Sequence, residues 1–245
     1  MEKERLDSIV SRRFQITRSK AQGLIQTGRI LDAAGTPLDK PGARFYSDVP
    51  LQLVDGNKFV SRGGDKLQYA FDTFPVSVSG KVAIDVGAST GGFTDCLLKN
   101  GAVRVYAVDV GYGQLAWELR QDKRVVVMER CNIRKLEPEV LEDRPEFFTA
   151  DCSFISVRLV LSSLMPLLSR QPEGVVLIKP QFEAGKERVG RGGVVRESSV
   201  HEEVIRDVGE HCRRLGFQEV DITPSPLLGP AGNREFLAWL HGFNA

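Results

Sequence analysis

Residues 81–95 read KVAIDVGASTGGFTD. The β-branched run Val82–Val86 predicts a buried strand, and glycines at 87, 91 and 92 predict a tight turn that opens a helix over 92–100. Strand, glycine turn and helix make the first half of a βα unit. Outward from it the rhythm repeats: apolar runs at Val103–Val108, Val125–Met128, Phe147–Thr149 and Val175–Ile178 alternate with helical stretches such as 156–170. Repeated βα units place the chain in the α/β class, with a doubly wound, mostly parallel sheet whose ligand crevice opens at the carboxyl ends of the strands. A final pair of strands, Gln218–Ile222 and Glu235–Leu240, joined by SPLLGPAGN, closes it.

The chain has 245 residues and is 42% apolar, enough for one large domain and one small one. Its net charge is +1, so any nucleic-acid surface is a local patch and not a property of the whole molecule. Cys96, Cys131, Cys152 and Cys212 form no CxxC pair, and only His201, His211 and His241 stand beside them. Reduced structural thiols and no metal site are expected. The opening MEKERLDSIV places charges where a signal peptide needs apolar residues, and no stretch approaches the roughly 18 apolar residues of a membrane span. A cytoplasmic protein without membrane contact is expected.

Ahead of the sheet lies a module of different character. Leu6, Ile9 and Val10 recur at helical spacing within 4–13, and a second helix is expected from the N-cap Thr17 to Gly28. Short strands follow at Arg29–Leu31 and Val49–Val54. Between Ser11 and Ile30 stand Arg12, Arg13, Arg18, Lys20 and Arg29 with no acid, whereas Glu2, Glu4, Asp7, Asp32, Asp39, Asp48 and Asp55 occupy the rest of the module. A one-sided basic face grips a phosphate backbone; a solvated helix surface is the alternative. The order Arg5-Leu6-Asp7, then TRSKAQGLIQTGRI at 17–30, resembles the S4-like RNA-binding domain, departing from it at Ala33-Ala34-Gly35 in the hairpin. The resemblance implies an RNA-binding domain over 1–58 that uses Arg5, Arg12, Arg13, Arg18, Lys20 and Arg29.

The glycine turn carries the first chemistry. Dinucleotide enzymes also place glycines after their first strand, but close backbone approach to a pyrophosphate needs a glycine where this chain has Ser89. Asp85 at the strand end would repel a diphosphate and suits a ligand bearing an ammonium and a sulfonium. That ligand is S-adenosylmethionine. Its expected contacts are Asp85, Gly87, Ala88, Ser89, Gly91, Gly92 and Phe93 in the first turn. Asp109 at the next strand end is placed to accept from both ribose hydroxyls, and Asn132 in ERCNIR to read the adenine edge.

Two further strands end in Ala150-Asp151-Cys152-Ser153 and in Lys179-Pro180, the latter within LIKPQFE at 177–183. Both side chains reach the crevice. Burial disfavours a charged ammonium, so a lysine held there is accessible as a general base; a snorkelling lysine is the plain alternative. Lys66 in SRGGDKL and Glu235 in GNREF would not stand out alone. Together with DVGASTGGFTD, DVGYGQL, ERCNIR, ADCSFIS and GGVVRE, in this order, they make residues 59–245 resemble the FtsJ/RrmJ-like ribose 2′-O-methyltransferases, and the whole chain the TlyA family. The resemblance implies a Rossmann-like methyltransferase sheet and a catalytic tetrad of Lys66, Asp151, Lys179 and Glu235, with Asp151 also at the cofactor. It implies ribosomal RNA or ribosomal subunits as partner, with cytidine as the target.

Residues 184–196, AGKERVGRGGVVR, read either as a mobile loop whose Lys186, Arg188 and Arg191 meet phosphates or as an ordinary exposed loop. Members of the resembled family also carry the label hemolysin. A membrane-active toxin and a non-catalytic RNA-binding or ribosome-assembly protein therefore stand as alternatives to an S-adenosylmethionine-dependent RNA methyltransferase. Nothing in the sequence decides the oligomeric state.

Overall fold

A computed structural model describes residues 3–26, 28–54 and 58–244, so Glu2, Thr27 and Asp55 of the sequence reading lie outside the described residues. The chain divides into two compact units, Met1–Arg62 and Gly63–Ala245.

In the first unit, strand β1 (Lys3–Arg5) runs into helix α1 (Leu6–Arg13), followed by α2 (Arg18–Gln26) and the short strands β2 (Ile30–Leu31), β3 (Arg44–Tyr46) and β4 (Gln52–Leu53). Leu6, Val10, Ala21, Leu24, Ile25 and Ile30 form its core. Thr17 caps α2 as its sequence requires, accepting the Lys20 N–H at 3.2 Å. Two expectations are corrected. Helical spacing over 4–13 hides a strand at Lys3–Arg5, which pairs antiparallel with Arg44–Tyr46, a partner that local periodicity cannot see. Of the run Val49–Val54, only Gln52–Leu53 pairs, against Ile30–Leu31.

The second unit opens with α3 (Arg62–Thr73) and alternates β5 (Val82–Val86), α4 (Gly92–Lys99), β6 (Arg104–Val108), α5 (Trp117–Gln121), β7 (Val125–Met128), β8 (Phe147–Ala150), α6 (Val157–Leu164), β9 (Glu173–Ile178), α7 (Pro180–Glu183), α8 (Ser198–Arg214), β10 (Phe217–Pro224) and β11 (Phe236–Phe243). One seven-stranded sheet results, in the order β10-β11-β9-β8-β5-β6-β7. Strands β5 to β9 are parallel; β11 is antiparallel to both its neighbours. Strand order reverses between β5 and β8, which puts the ligand crevice at the carboxyl ends of those two.

One face of the sheet, including Ile84, Tyr106, Phe148 and Val176, is packed with Val160, Leu161 and Leu164 of α6 and with Val200, Val204, Val208 and Cys212 of α8. Buried residues every fourth position make α8 a helix by pattern alone.

Candidate active site

The sheet order brings separate pieces of sequence to one rim. Lys179 follows the last residue of β9, and because Ile178 faces Phe236 across the antiparallel ladder, Glu235 is its neighbour at the start of β11. On the other side of β9, Asp151 follows β8, with its N–H bonded to the Val86 carbonyl at 3.0 Å, and Gly87 follows β5. Two ion pairs form. Lys179 Nζ lies 2.6 Å from Asp151 Oδ1, and Lys66 Nζ, on α3, donates to Glu235 Oε2 at 2.6 Å.

These are not surface charges. Lys179 is 7% exposed and Glu235 is 2% exposed, so separating either pair would leave a buried ion uncompensated. Lys179 also donates to Ser153 Oγ at 3.1 Å. Asp151 Oδ1 is buried in an ion pair whose angles fall short of a hydrogen bond, and Glu235 Oε1 is buried with no hydrogen-bond partner. Gly229 lies against that second oxygen, where any Cβ would collide with it.

Beside Asp151 lies a cavity of about 390 Å³ lined by Val86, Val108, Ile133 and Ile155 and by the polar groups of Ser89, Asp109, Asn132, Asp151 and Ser153. Gly87 has φ +84°, and a Cβ there would stand 2.7 Å from the Asp151 carbonyl oxygen, so only glycine lets the β5 turn pass this close to the β8 end. Asp109 accepts the Ser89 N–H at 2.8 Å and the Gly111 N–H at 2.6 Å. Asn132 lines the cavity while its Oδ1 caps the next turn, accepting from Arg134 N at 3.0 Å. Cys152 also lines the cavity, but burial pushes its thiol up to about 12, which keeps it protonated and removes it as a nucleophile.

Several first-turn residues sit elsewhere than expected. Asp85 is fully buried beneath the loop; its carboxylate accepts from Thr94 Oγ1 at 2.7 Å and Thr149 Oγ1 at 2.8 Å and does not line the cavity. Its charge cannot meet a ligand directly. Burial raises its carboxyl to about 6 against those two hydroxyls. Ala88, Gly92 and Phe93 are buried in the packing of the loop and α4. Gly91 is bare because Leu115 and Leu119 fill the space of its side chain. None of these four lines the cavity.

The structure adds residues that the sequence reading passed over. Ser153 and Phe154 line the cavity, and Phe154 is 91% exposed with φ +65°. Asn233, inside the GNREF motif, is buried; its Oδ1 accepts the Val195 N–H at 3.0 Å and its Nδ2 donates to the Gly193 carbonyl at 2.9 Å. Residues 184–196 are therefore tied down near Glu235, with a β-bridge between Gly190 and Val194, and Arg188 is paired with Glu203.

In the first unit the expected basic face is largely engaged within the protein. Asp7 is buried and binds Arg5 and, from α2, Arg18 and Gln22. The Arg5 guanidinium, with Gln22 and Arg18, holds its carboxyl well below the usual carboxylate range. Arg12 pairs with Glu4, Arg13 donates to the carbonyls of Ser47 and Val49, and Arg29 donates to that of Val54. The acid-free stretch is acid-free only in sequence. Arg5, Arg12 and Arg18 remain about half exposed, and Lys20 is exposed.

A reversed parallel sheet with one antiparallel hairpin and a cavity cradled at the Gly87 turn make the fold that of a Rossmann-like methyltransferase. The chain belongs to the FtsJ-like methyltransferase family, whose pattern it matches over residues 59–241. It is 50% identical over 243 residues to the "Putative rRNA methyltransferase YqxC" of Bacillus subtilis, covering 98% of this chain and 86% of that one. It is 44% identical over 235 residues to the 16S/23S rRNA (cytidine-2′-O)-methyltransferase TlyA of Mycobacterium tuberculosis, covering 95% and 87%. Among solved structures, the "Putative hemolysin from Streptococcus thermophilus" superposes with a TM-score of 0.76 at 43% identity, covering 100% of this chain and 90% of that one.

S-adenosylmethionine is the methyl donor of this enzyme. The cavity fits it: apolar walls suit the adenine, and the Asp109 carboxylate suits a ribose diol.

Proposed function

We propose that this enzyme transfers the methyl group to a ribose 2′-hydroxyl of ribosomal RNA, at cytidine, with the first unit docking the RNA. The supporting observation is the Lys179–Asp151 pair, held at 2.6 Å, whose carboxylate member lines the cavity. S-adenosylmethionine supplies an electrophilic methyl on sulfur. A ribose hydroxyl is a poor nucleophile until a base takes its proton. Lys179, as the free amine, accepts that proton as the oxygen attacks, and Asp151 stabilises the ammonium that forms. Lys66 and Glu235 supply a second buried pair beside it, fixing Glu235 against the end of β9. In-line displacement at a methyl carbon depends above all on positioning, which the rigid strand ends provide.

The exposed Phe154 ring offers a stacking surface to a base drawn out of an RNA helix. The half-exposed Arg5, Arg12 and Arg18 and the exposed Lys20 of the first unit meet phosphates, positioning the RNA without reading its sequence. Tritiated-methyl transfer to ribosomal RNA from a strain lacking the protein, followed by nuclease mapping, tests the reading. Label on a cytidine ribose that drops at least about a hundredfold with Lys179→Ala supports it; label on a base, or unchanged transfer by Lys179→Ala, rejects it.

The hemolysin label on a similar structure favours a second reading, membrane activity. Among the described residues no helix is long and apolar enough to cross a membrane. Leakage of liposomes by the purified protein without cofactor would support it.

A further inference from the structure

We propose that Glu183 is a positioning residue for the proton transfer, a carboxylate that locks the segment bearing Asp151 onto the segment bearing Lys179. It rests on the reading of Lys179 and Asp151 given above. Helix α7 is a single turn of four residues, with Pro180 at its first position, and it begins directly after Lys179. One turn returns the chain to the same side, so Lys179 and Glu183, four residues apart, are directed at one neighbouring segment. That neighbour is 151–158, the connection from β8 to α6.

The contacts run in order along both segments. Lys179 meets Asp151 at 2.6 Å and Ser153 at 3.1 Å. Phe182 lies against Phe154, ring centroids 5.2 Å apart. Glu183 accepts from Ser156 Oγ and from the Val157 N–H, each at 2.6 Å, and from Arg158 Nε at 3.2 Å. The Ser156 hydroxyl so oriented accepts in turn from the Arg158 N–H at 3.2 Å and caps α6. One end of the connection hangs on the Val86 carbonyl through Asp151 N, and the other end hangs on Glu183.

Two features show why the connection needs this anchor. Phe154 has φ +65°, a conformation that an aromatic residue holds only when its surroundings enforce it. Only Ile155 separates that strained position from Ser156. The Glu183 side chain is also 2% exposed, and burial raises its carboxyl although Ser156, Val157 and Arg158 all donate to it. An acid placed at such cost, with its donors all at the start of one helix, fixes where that helix begins and hence where Asp151 and Ser153 stand opposite Lys179.

The test compares Glu183→Ala, Glu183→Gln and Lys179→Ala with the wild type as full-length protein, measuring kcat and KM for RNA, normalised to folded fraction. Glu183→Ala is expected to lower kcat about tenfold to a hundredfold with KM changed little. Glu183→Gln, which keeps one of the two acceptor oxygens and removes the charge, falls between and serves alone if the alanine variant does not fold. Unchanged kcat per folded molecule, with Lys179→Ala inactive, would overturn the clamp and leave the base in place. If Lys179→Ala is fully active, both ideas fall together.

Discussion

Gly87→Ala is the sharpest test of how the cavity is built. The added Cβ would stand 2.7 Å from the Asp151 carbonyl oxygen, 3.0 Å from its carbon and 3.2 Å from Cys152 Sγ. The first distance is about 0.7 Å inside the 3.4 Å at which ordinary contact begins, and the obstacle is backbone, which cannot swing aside. A left-handed alanine adds about 1–2 kcal/mol of strain, and forcing the β5 and β8 ends apart adds about 1–3 kcal/mol. The expected destabilisation is therefore roughly 2–5 kcal/mol, within what a folded domain tolerates.

The functional loss should exceed the stability loss, because the segment displaced is the one that carries Asp151. A shift approaching 1 Å at a reacting group lowers turnover about a hundredfold. Urea unfolding and methyl transfer at saturating RNA measure the two effects on one preparation. Gly113→Ala is the control: φ there is +73°, but no atom lies within 4 Å of the added carbon. It should show the strain without the displacement, about 1–2 kcal/mol with turnover retained. If Gly87→Ala unfolds within 1 kcal/mol of Gly113→Ala and keeps its turnover, the close approach of the two strand ends does not shape the site.

Lys66→Met leaves Glu235 buried without its cation and should cost about 3–5 kcal/mol in urea unfolding, whereas Lys66→Met with Glu235→Leu should recover most of it; additive losses would mean the two side chains are not paired. Asp85 binds its proton more tightly folded, at about 6, than in an unfolded chain near 3.9, so its contribution is present at low pH and lost as pH rises between those values, by about 3 kcal/mol in all. Stability of the wild type relative to Asp85→Asn should fall by about that much between pH 4 and 7, and a flat difference would show the carboxyl to be solvated. Phe154→Ala should raise KM for RNA about 5- to 150-fold, the worth of one stacked base; an unchanged KM would remove Phe154 from the RNA surface.

Most of the sheet was legible because its signals are local. The run Val82–Val86 and its glycines specify strand, turn and helix within fifteen residues, and the strand comes out at those same bounds. Helix α8 was equally legible, since Val200, Val204, Val208 and Cys212 recur every fourth residue, but its polar majority drew no reading. Helix α3 was hidden differently: Gly63-Gly64 looks like a turn, yet glycines in a first helical turn interrupt little. What no period contains is pairing at a distance. Lys66 and Glu235 meet across 169 positions, and only family resemblance put them together. The Asp7 cluster shows the opposite failure, because an arginine count along the chain cannot register that one buried carboxylate binds two of them.

A lysine at the rim of this sheet has a reason in strand direction. In the seven-stranded order, β9 alone has one parallel neighbour, β8, and one antiparallel neighbour, β11. Its carboxyl end therefore stands beside the residue that follows a strand on one side and the residue that precedes a strand on the other. Those residues are Asp151 and Glu235. Between two parallel strands, a terminal side chain would meet only the outgoing loops of both, each free to vary with its own helix. Here Glu235 enters from the opposite direction, fixed by the ladder that pairs Phe236 with Ile178 and pinned by Lys66. The antiparallel hairpin thus does more than close an edge. It delivers a second buried acid to the one strand end where an amine can stay buried, charged or neutral, without being left alone.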